Sequence, residues 1–393
     1  MTNVYKNIGD YISVVDKRNL DGKITKLMGI SIDKCYIPSV ANVIGTDLHN
    51  YKIIRKGQFA CSLMQVSRDQ RIPIAKYSNE VPAIMSPAYV LFEVSRPDEI
   101  LPEFMELWFK RAEFDREATF YAIGGVRGSL DWEDFCRMKL PIPPISVQRK
   151  IVHDYQVIAK RIEILREISA TLEELENTIF IETCLCADND CWESAYFGDF
   201  IEDSAGGDWG LETPDGNYNS KVICIRGADI PGVNTGIISD APVRFILERN
   251  ALAKKLSNND MIVEISGGSP IQSTGRIALI TDEIVRSLHE SLICSNFCKS
   301  IKVQEDYLYF FYLYWRYLYK KGRLFDYENS TIALKNFDFS SFTSQESIKC
   351  PPIDVSKRLN VIIEPIQRSI IKFGTEIRQL DLLKKNMLQI MLK

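Results

Sequence analysis

Ser67-Arg68-Asp69-Gln70-Arg71 places two guanidiniums and a carboxamide within one short stretch between two apolar runs. A guanidinium can pair bidentately with the edge of guanine, and a carboxamide with the edge of adenine. The same stretch also reads as a solvated hairpin tip, and both readings stand. Gly124-Gly125-Val126-Arg127-Gly128-Ser129 has a second pattern. Glycines such as Gly125 let backbone approach a phosphate closely, and Arg127 is placed to grip it; a flexible connection is the plainer alternative. Two later stretches answer to these. Ser273-Thr274-Gly275-Arg276 is the counterpart of the Arg68 loop, and Asn329-Ser330-Thr331, followed by Lys335, is that of the glycine run. This is recognition chemistry, hydrogen bonds and charge, in which no bond is made or broken.

Signatures of bond-making chemistry are missing. There is no Gly-x-x-x-x-Gly-Lys-Ser/Thr phosphate loop, and Gly267-Gly268-Ser269 is short enough to be a turn. A DNA adenine methyltransferase needs Asn or Asp before Pro-Pro-aromatic, whereas Pro143-Pro144 follows Ile142. No spaced acidic pair plus lysine marks a metal-dependent nuclease. The ten cysteines include no Cys-x-x-Cys pair, and Cys184, Cys186 and Cys191 lack the four paired soft ligands of a thiolate site, so no metal is expected and the thiols read as reduced. Residues 307–319 are densely aromatic. Base stacking is conceivable there, but helical periodicity favours burial. Lys320-Lys321-Gly322-Arg323 follows, either a phosphate contact or a cationic helix end.

These groups need a scaffold. The 393 residues, 46% hydrophobic and 25% charged, suit a globular protein of two or more domains. No apolar run is long enough to span a membrane, and the N-terminus has no secretory pattern, so a cytoplasmic protein is expected. The net charge of −4 is unevenly spread: residues 1–145 carry 19 Lys+Arg and 18 Asp+Glu, residues 146–194 carry 5 and 10, residues 195–350 carry 16 and 20, and residues 351–393 carry 8 and 4. Composition therefore does not demonstrate a basic surface.

The chain is written twice. Ile8-Gly9-Asp10-Tyr11-Ile12 recurs as Phe197-Gly198-Asp199-Phe200-Ile201, Ile84-Met85-Ser86 as Ile293-Cys294-Ser295, and Pro143-Pro144-Ile145 as Pro351-Pro352-Ile353. An ordered set of such pairs marks an internal repeat. Within the first copy, 57–66, 72–77 and 88–94 read as strands and 102–117 as an amphipathic helix. Each copy then closes on a long helix. Ile158, Leu165, Leu172 and Ile179 fall seven apart, as do Ile366, Phe373, Leu380 and Met387, with Ile168, Leu175, Ile362, Leu383 and Ile390 supporting the seams. Such heptads predict that the two helices pair with each other. The expected fold is α+β. Residues 1–145 and 184–350 form mixed α/β domains, and 146–183 and 351–393 form an antiparallel two-helix coiled coil with a pseudo-twofold relation. Residues 146–183 would give a rod of roughly 57 Å.

Ile37-Pro38-Ser39-Val40-Ala41-Asn42-Val43-Ile44-Gly45-Thr46-Asp47, Tyr51-Lys52-Ile53-Ile54-Arg55-Lys56-Gly57-Gln58-Phe59-Ala60 and Leu140-Pro141-Ile142-Pro143-Pro144 with Gln148-Arg149-Lys150-Ile151 carry a family likeness. With the repeat, they make the chain resemble the specificity subunit of type I restriction–modification systems. The second copy departs at Lys349-Cys350-Pro351-Pro352 and at Ser204-Ala205-Gly206-Gly207-Asp208-Trp209-Gly210. The resemblance implies two target-recognition domains on double-stranded DNA and no catalysis by this chain. It also implies two methyltransferase subunits and restriction/translocase subunits as partners, with S-adenosylmethionine and ATP held by those partners. Ile162, Ile363, Ile370 and Ile377 are apolar positions beyond what one seam needs, and are expected to face the partners. Two other readings are a degenerate assembly scaffold that reads no DNA and a self-contained methyltransferase with divergent motifs.

Overall fold

Phe59 and Phe92 sit opposite each other on neighbouring strands, and their rings stack at 5.2 Å between centroids. Cross-strand pairs of this kind stabilise a sheet. The computed structural model that contains them describes residues 5–39, 45–64, 66–123, 128–186, 191–238, 241–267, 271–288, 290–330 and 335–390. It divides into two units, Met1–Lys160 with Leu382–Lys393, and Arg161–Asp381. The first holds strands β1 (Ile12–Val15), β2 (Phe59–Cys61), β3 (Ile74–Lys76) and β4 (Val90–Val94), hydrogen-bonded in the order β1-β4-β2-β3. Helices α1 (Pro102–Phe109) and α2 (Ala112–Tyr121) follow the sheet. One helix was expected over 102–117. The chain instead breaks at Lys110 and Arg111, and Phe114 packs on Phe109 and Phe135 in the core.

The second unit repeats the order. Its strands β5 (Ile201–Gly206), β6 (Met261–Glu264), β7 (Ile277–Leu279) and β8 (Cys298–Val303) bond as β5-β8-β6-β7. Two long helices recur in the same places: α3 (Ile145–Phe180) follows the first copy and α5 (Ile353–Ile390) the second. Between them lies α4 (Leu308–Lys320), whose Phe310, Phe311, Tyr312 and Trp315 are buried, as the periodicity of the aromatic segment predicts.

The repeated motifs have the same mechanical roles. Tyr5–Asn7 pairs with Lys139–Pro141, and Ser194–Tyr196 pairs with Ser347–Lys349, just before each long helix. Gly9 and Gly198 follow those first strands. A Cβ on Gly9 would lie 2.8 Å from that of Cys136, which leaves no room for a side chain, and one on Gly198 would lie 3.1 Å from the Thr343 carbonyl, a tight fit. A buried polar residue opens each long helix: Gln148 donates to the Glu99 carbonyl at 2.8 Å, and Ser356 donates to the Asp306 carbonyl at 2.7 Å. Both anchor the helix to the segment leading into α1 or α4.

The long helices depart from the simple heptad expectation. Among the seam residues Leu165 is fully buried, while Ile158, Leu172, Ile179, Ile366, Phe373, Leu380 and Met387 are half-buried. Ile168, Leu175, Ile362 and Leu383 are exposed rather than supporting a seam. Ile162, Ile363, Ile370 and Ile377, expected to face partners, are at most 2% exposed. The reason lies in α5, whose residues up to Asp381 pack on the globular part of the second unit as well as on α3. Leu359 and Ile363 join the aromatic core, and Ile371 joins the cluster around Ile225. A Cβ on Gly374 would overlap the Thr235 carbonyl. A helix buried on more than one side cannot be assigned a seam from a seven-residue count alone.

Candidate nucleic-acid interface

In the first unit the stretch between β2 and β3 is more than a hairpin tip. Val66–Asp69 forms one helical turn whose Val66 is buried, and Gln70 takes a left-handed φ of 52° that turns the chain back. The carboxylate of Asp115 holds the far end by accepting the Ile72 backbone N–H at 3.2 Å, and it also pairs with Lys34 at 2.7 Å. This anchored turn carries Arg68, Gln70 and Arg71 outward. The side chains of Arg68 and Arg71 are 65% and 52% exposed. Arg68 bonds Asp69 at 2.8 Å and Arg71 bonds Asp33 at 3.0 Å, contacts that at such exposure cost little to exchange.

The glycine run meets this turn. Gly128 has φ 72°, and a Cβ there would overlap the Ser67 hydroxyl; Leu130 donates its N–H to the Leu63 carbonyl at 2.9 Å. The two stretches singled out in the first copy are thus brought together. Gly125 and Arg127 themselves lie outside the described residues.

The second unit also joins its two stretches, by different means. Ser266–Gly267 pairs with Lys335–Phe337, which pairs with Glu328–Ser330, to form a three-stranded sheet. Here the polar groups turn inward. Ser273 is buried, its hydroxyl donating to the Thr274 carbonyl at 2.6 Å. Arg276 makes a two-pronged pair with Glu264, Nε to Oε2 at 2.8 Å and Nη2 to Oε1 at 2.6 Å, with the carboxylate only 2% exposed. Lys335 pairs with Glu328 at 2.9 Å. Glu328 also accepts the Thr274 N–H at 2.6 Å, and α4 ties the loop down through Trp315 Nε1 to the Gly275 carbonyl at 2.8 Å. Thr331 lies outside the described residues, and Ser330 is described as backbone only.

Sequence reasoning did not find the cations around the first loop: Lys34, Lys110, Arg111 and Arg116, with Lys384 and Lys385 near the end of α5, line a hollow that also includes Gln70 and Arg71. The only sequence signal was the surplus of Lys and Arg after residue 351. Among the described residues no group of three or more His, Cys, Asp and Glu is arranged to hold a metal, and no helix is long and apolar enough to cross a membrane.

No family model and no curated protein matches the chain. Among solved structures, the type I restriction–modification system S subunit from M. genitalium aligns with TM-score 0.63 at 10% identity, over 100% of this chain and 96% of that one. A chain from a structure on complex assembly and conformational transition of the type I R-M system aligns with TM-score 0.44 at 14% identity, covering 100% and 98%. The HsdS subunit from Thermoanaerobacter tengcongensis aligns with TM-score 0.37 at 15% identity, covering 99% and 96%.

Proposed function

The chain has, over its whole length, the fold of a type I restriction–modification S subunit, and from that premise we propose that it is the DNA-reading specificity subunit of such an enzyme. On this reading it binds a bipartite, asymmetric site on double-stranded DNA and performs no catalysis itself. Methylation with S-adenosylmethionine and ATP-driven restriction belong to its partner subunits in the cytoplasm. The observation that carries the proposal is that one sheet order is built twice while the loops at its β2–β3 and β6–β7 turns differ in sequence and in construction. Like scaffolds with unlike loops suit two unlike half-sites.

The long helices act in this proposal as an antiparallel coiled-coil spacer, the two copies being related by a pseudo-twofold axis. Support comes from cross-links between α3 and α5: Arg161 with Glu376 at 2.9 Å, Arg166 with Asp381 at 3.4 Å, and Gln367 with Glu176. Methyltransferase subunits dock on the helix pair. Since Ile162, Ile363, Ile370 and Ile377 are buried, the α3 face bearing Ile164, Ile168 and Leu175 replaces them as the apolar docking surface. Arg68, Gln70 and Arg71 are the leading DNA contacts, and Gly125 and Arg127 are carried as candidates on their sequence pattern alone. The alternative, an assembly scaffold that reads no DNA, draws on the inward pairing of Arg276 and Lys335.

Methylome sequencing of a host that expresses the chain with its cognate methyltransferase tests this reading. The expected result is two different short half-sites around a fixed gap. Four residues inserted into α3, about one turn, should lengthen the gap and leave both half-sites unchanged. A contiguous or palindromic site, or no new methylation, overturns the proposal.

A further inference from the structure

The hollow beside the first loop is a cavity of about 690 Å³ within the first unit. Lys34, Arg71, Lys110 and Arg111 line it with Arg116 of α2, and Lys384 and Lys385 of α5 complete it. Three carboxylates stand among them. Asp115 is engaged by Lys34 at 2.7 Å, Asp33 by Arg71 at 3.0 Å, and Glu113 by Arg116 at 3.3 Å. Glu106, outside the lining, takes Lys110 at 2.7 Å. Cations still outnumber carboxylates when Glu106 is counted.

A second observation points the same way. Arg111 has only 7% of its side chain exposed and lies over the Trp108 ring at 4.2 Å. Its Nε makes no hydrogen bond among the described residues, and the nearest carboxylate oxygen, Oε2 of Glu113, stands off at 3.7 Å without one either. A buried guanidinium donor left unmet is costly. Burial also pushes the Lys34 ammonium below its ordinary value; Asp115 works against this, while Arg71 and Lys110 push further down. Tyr155 lies between Lys110 and Lys384, 5.9 and 6.0 Å from its ring centre, so cations of the globular part and of α5 gather at one ring. Concentrated like charge in a concave, partly desolvated place raises the local affinity for anions.

We propose that this cavity binds a multivalent phosphate anion, which ties the last turns of α5 to the globular part of the same unit. Phosphate oxygens match both the guanidinium fork and the lysine point charges. The proposal does not rest on DNA reading, because a free polyphosphate and a DNA backbone offer the same oxyanions.

The test is calorimetric titration of the full chain with inorganic pyrophosphate at low salt. One saturable site is expected, weakened at least about tenfold in Lys384→Ala/Lys385→Ala and again in Arg116→Ala, as loss of charge-assisted contacts predicts. Pyrophosphate should also raise the urea midpoint of the parent chain, and the variants' midpoints without it report that they fold. Repeating the titration with a saturating short duplex of mixed sequence separates the sources. Undiminished binding assigns the site to a free anion, and competition assigns it to backbone phosphate; both support the site. No saturable binding, or binding unchanged in both folded variants, overturns it.

Discussion

The turn between β2 and β3 and the turn between β6 and β7 occupy equivalent places in two sheets of the same order, yet they treat charge in opposite ways. The first carries its arginines outward on a helical turn, where Arg68 meets the half-buried Asp69 and Arg71 the exposed Asp33. The second folds Arg276 onto a carboxylate that solvent barely reaches and clamps the turn with Trp315 and Glu328. One scaffold therefore supports both an adaptable polar surface and a rigid one. An arginine's type and position do not say which it joins; its acidic partner's burial does. A buried pair is hard to open because each ion has lost its water, whereas a surface pair exchanges for solvent or ligand at little cost.

The largest contrast is expected from removing one arginine in each loop. Arg276→Ala leaves Glu264 buried without its partner and should destabilise the second unit by about 3–5 kcal/mol. Arg71→Ala should stay within about 0.5 kcal/mol of the parent, and should instead weaken duplex binding and lower its salt slope by about 1. Urea denaturation and salt-dependent DNA titration read these separately. Equal stability losses would show that the two loops are not built differently.

A smaller effect is expected where α5 presses on the second unit. Gly374→Ala puts a methyl group against the Thr235 carbonyl, and overpacking of this kind costs about 1–3 kcal/mol. Hydrogen exchange should show the loss in residues 161–381 while the sheet of the first unit keeps its protection. Uniform loss would mean that the two units unfold as one.

The smallest concerns the helix before each closing strand. Asp338 caps Phe339–Gln345 by accepting the Ser341 N–H at 2.9 Å, whereas Asp131, at the same place before Trp132–Arg137, makes no cap bond. The Ser341 backbone N–H, with its hydroxyl, holds the Asp338 carboxyl below its usual range. A depressed carboxyl contributes stability above its unfolded pKa and loses it as pH falls through the folded value. Asp338→Ala should thus cost about 1 kcal/mol at neutral pH, with the gap closing below about pH 3.9. Asp131→Ala should cost less, and the same denaturation series against pH measures both.

Much of the fold was legible because its signals are local. The recurring Gly9 and Gly198, the proline pairs and the seven-residue spacing each mark a constraint acting within a few residues, and the structure gives them matching places. The aromatic helix was legible for the same reason. The break at Lys110 and Arg111 was not, because it serves the meeting of Phe114 with Phe135, far along the chain. Of the candidate contacts, Arg68, Gln70 and Arg71 lie at the surface, but nothing nearby in sequence shows that Asp115 anchors their loop.

The sequence by itself determined that a set of motifs recurs, that a long helix follows each set, and which segments are apolar enough to be buried. Those properties follow from periodicity and backbone restriction, which neighbouring residues set. Only the tertiary structure decided which cations are matched inside the protein and which face of each long helix is covered. Lys34 meets Asp115 and Ile371 meets Ile225 across long stretches of chain. Charge compensation and face burial depend on groups that become neighbours only when the chain has folded.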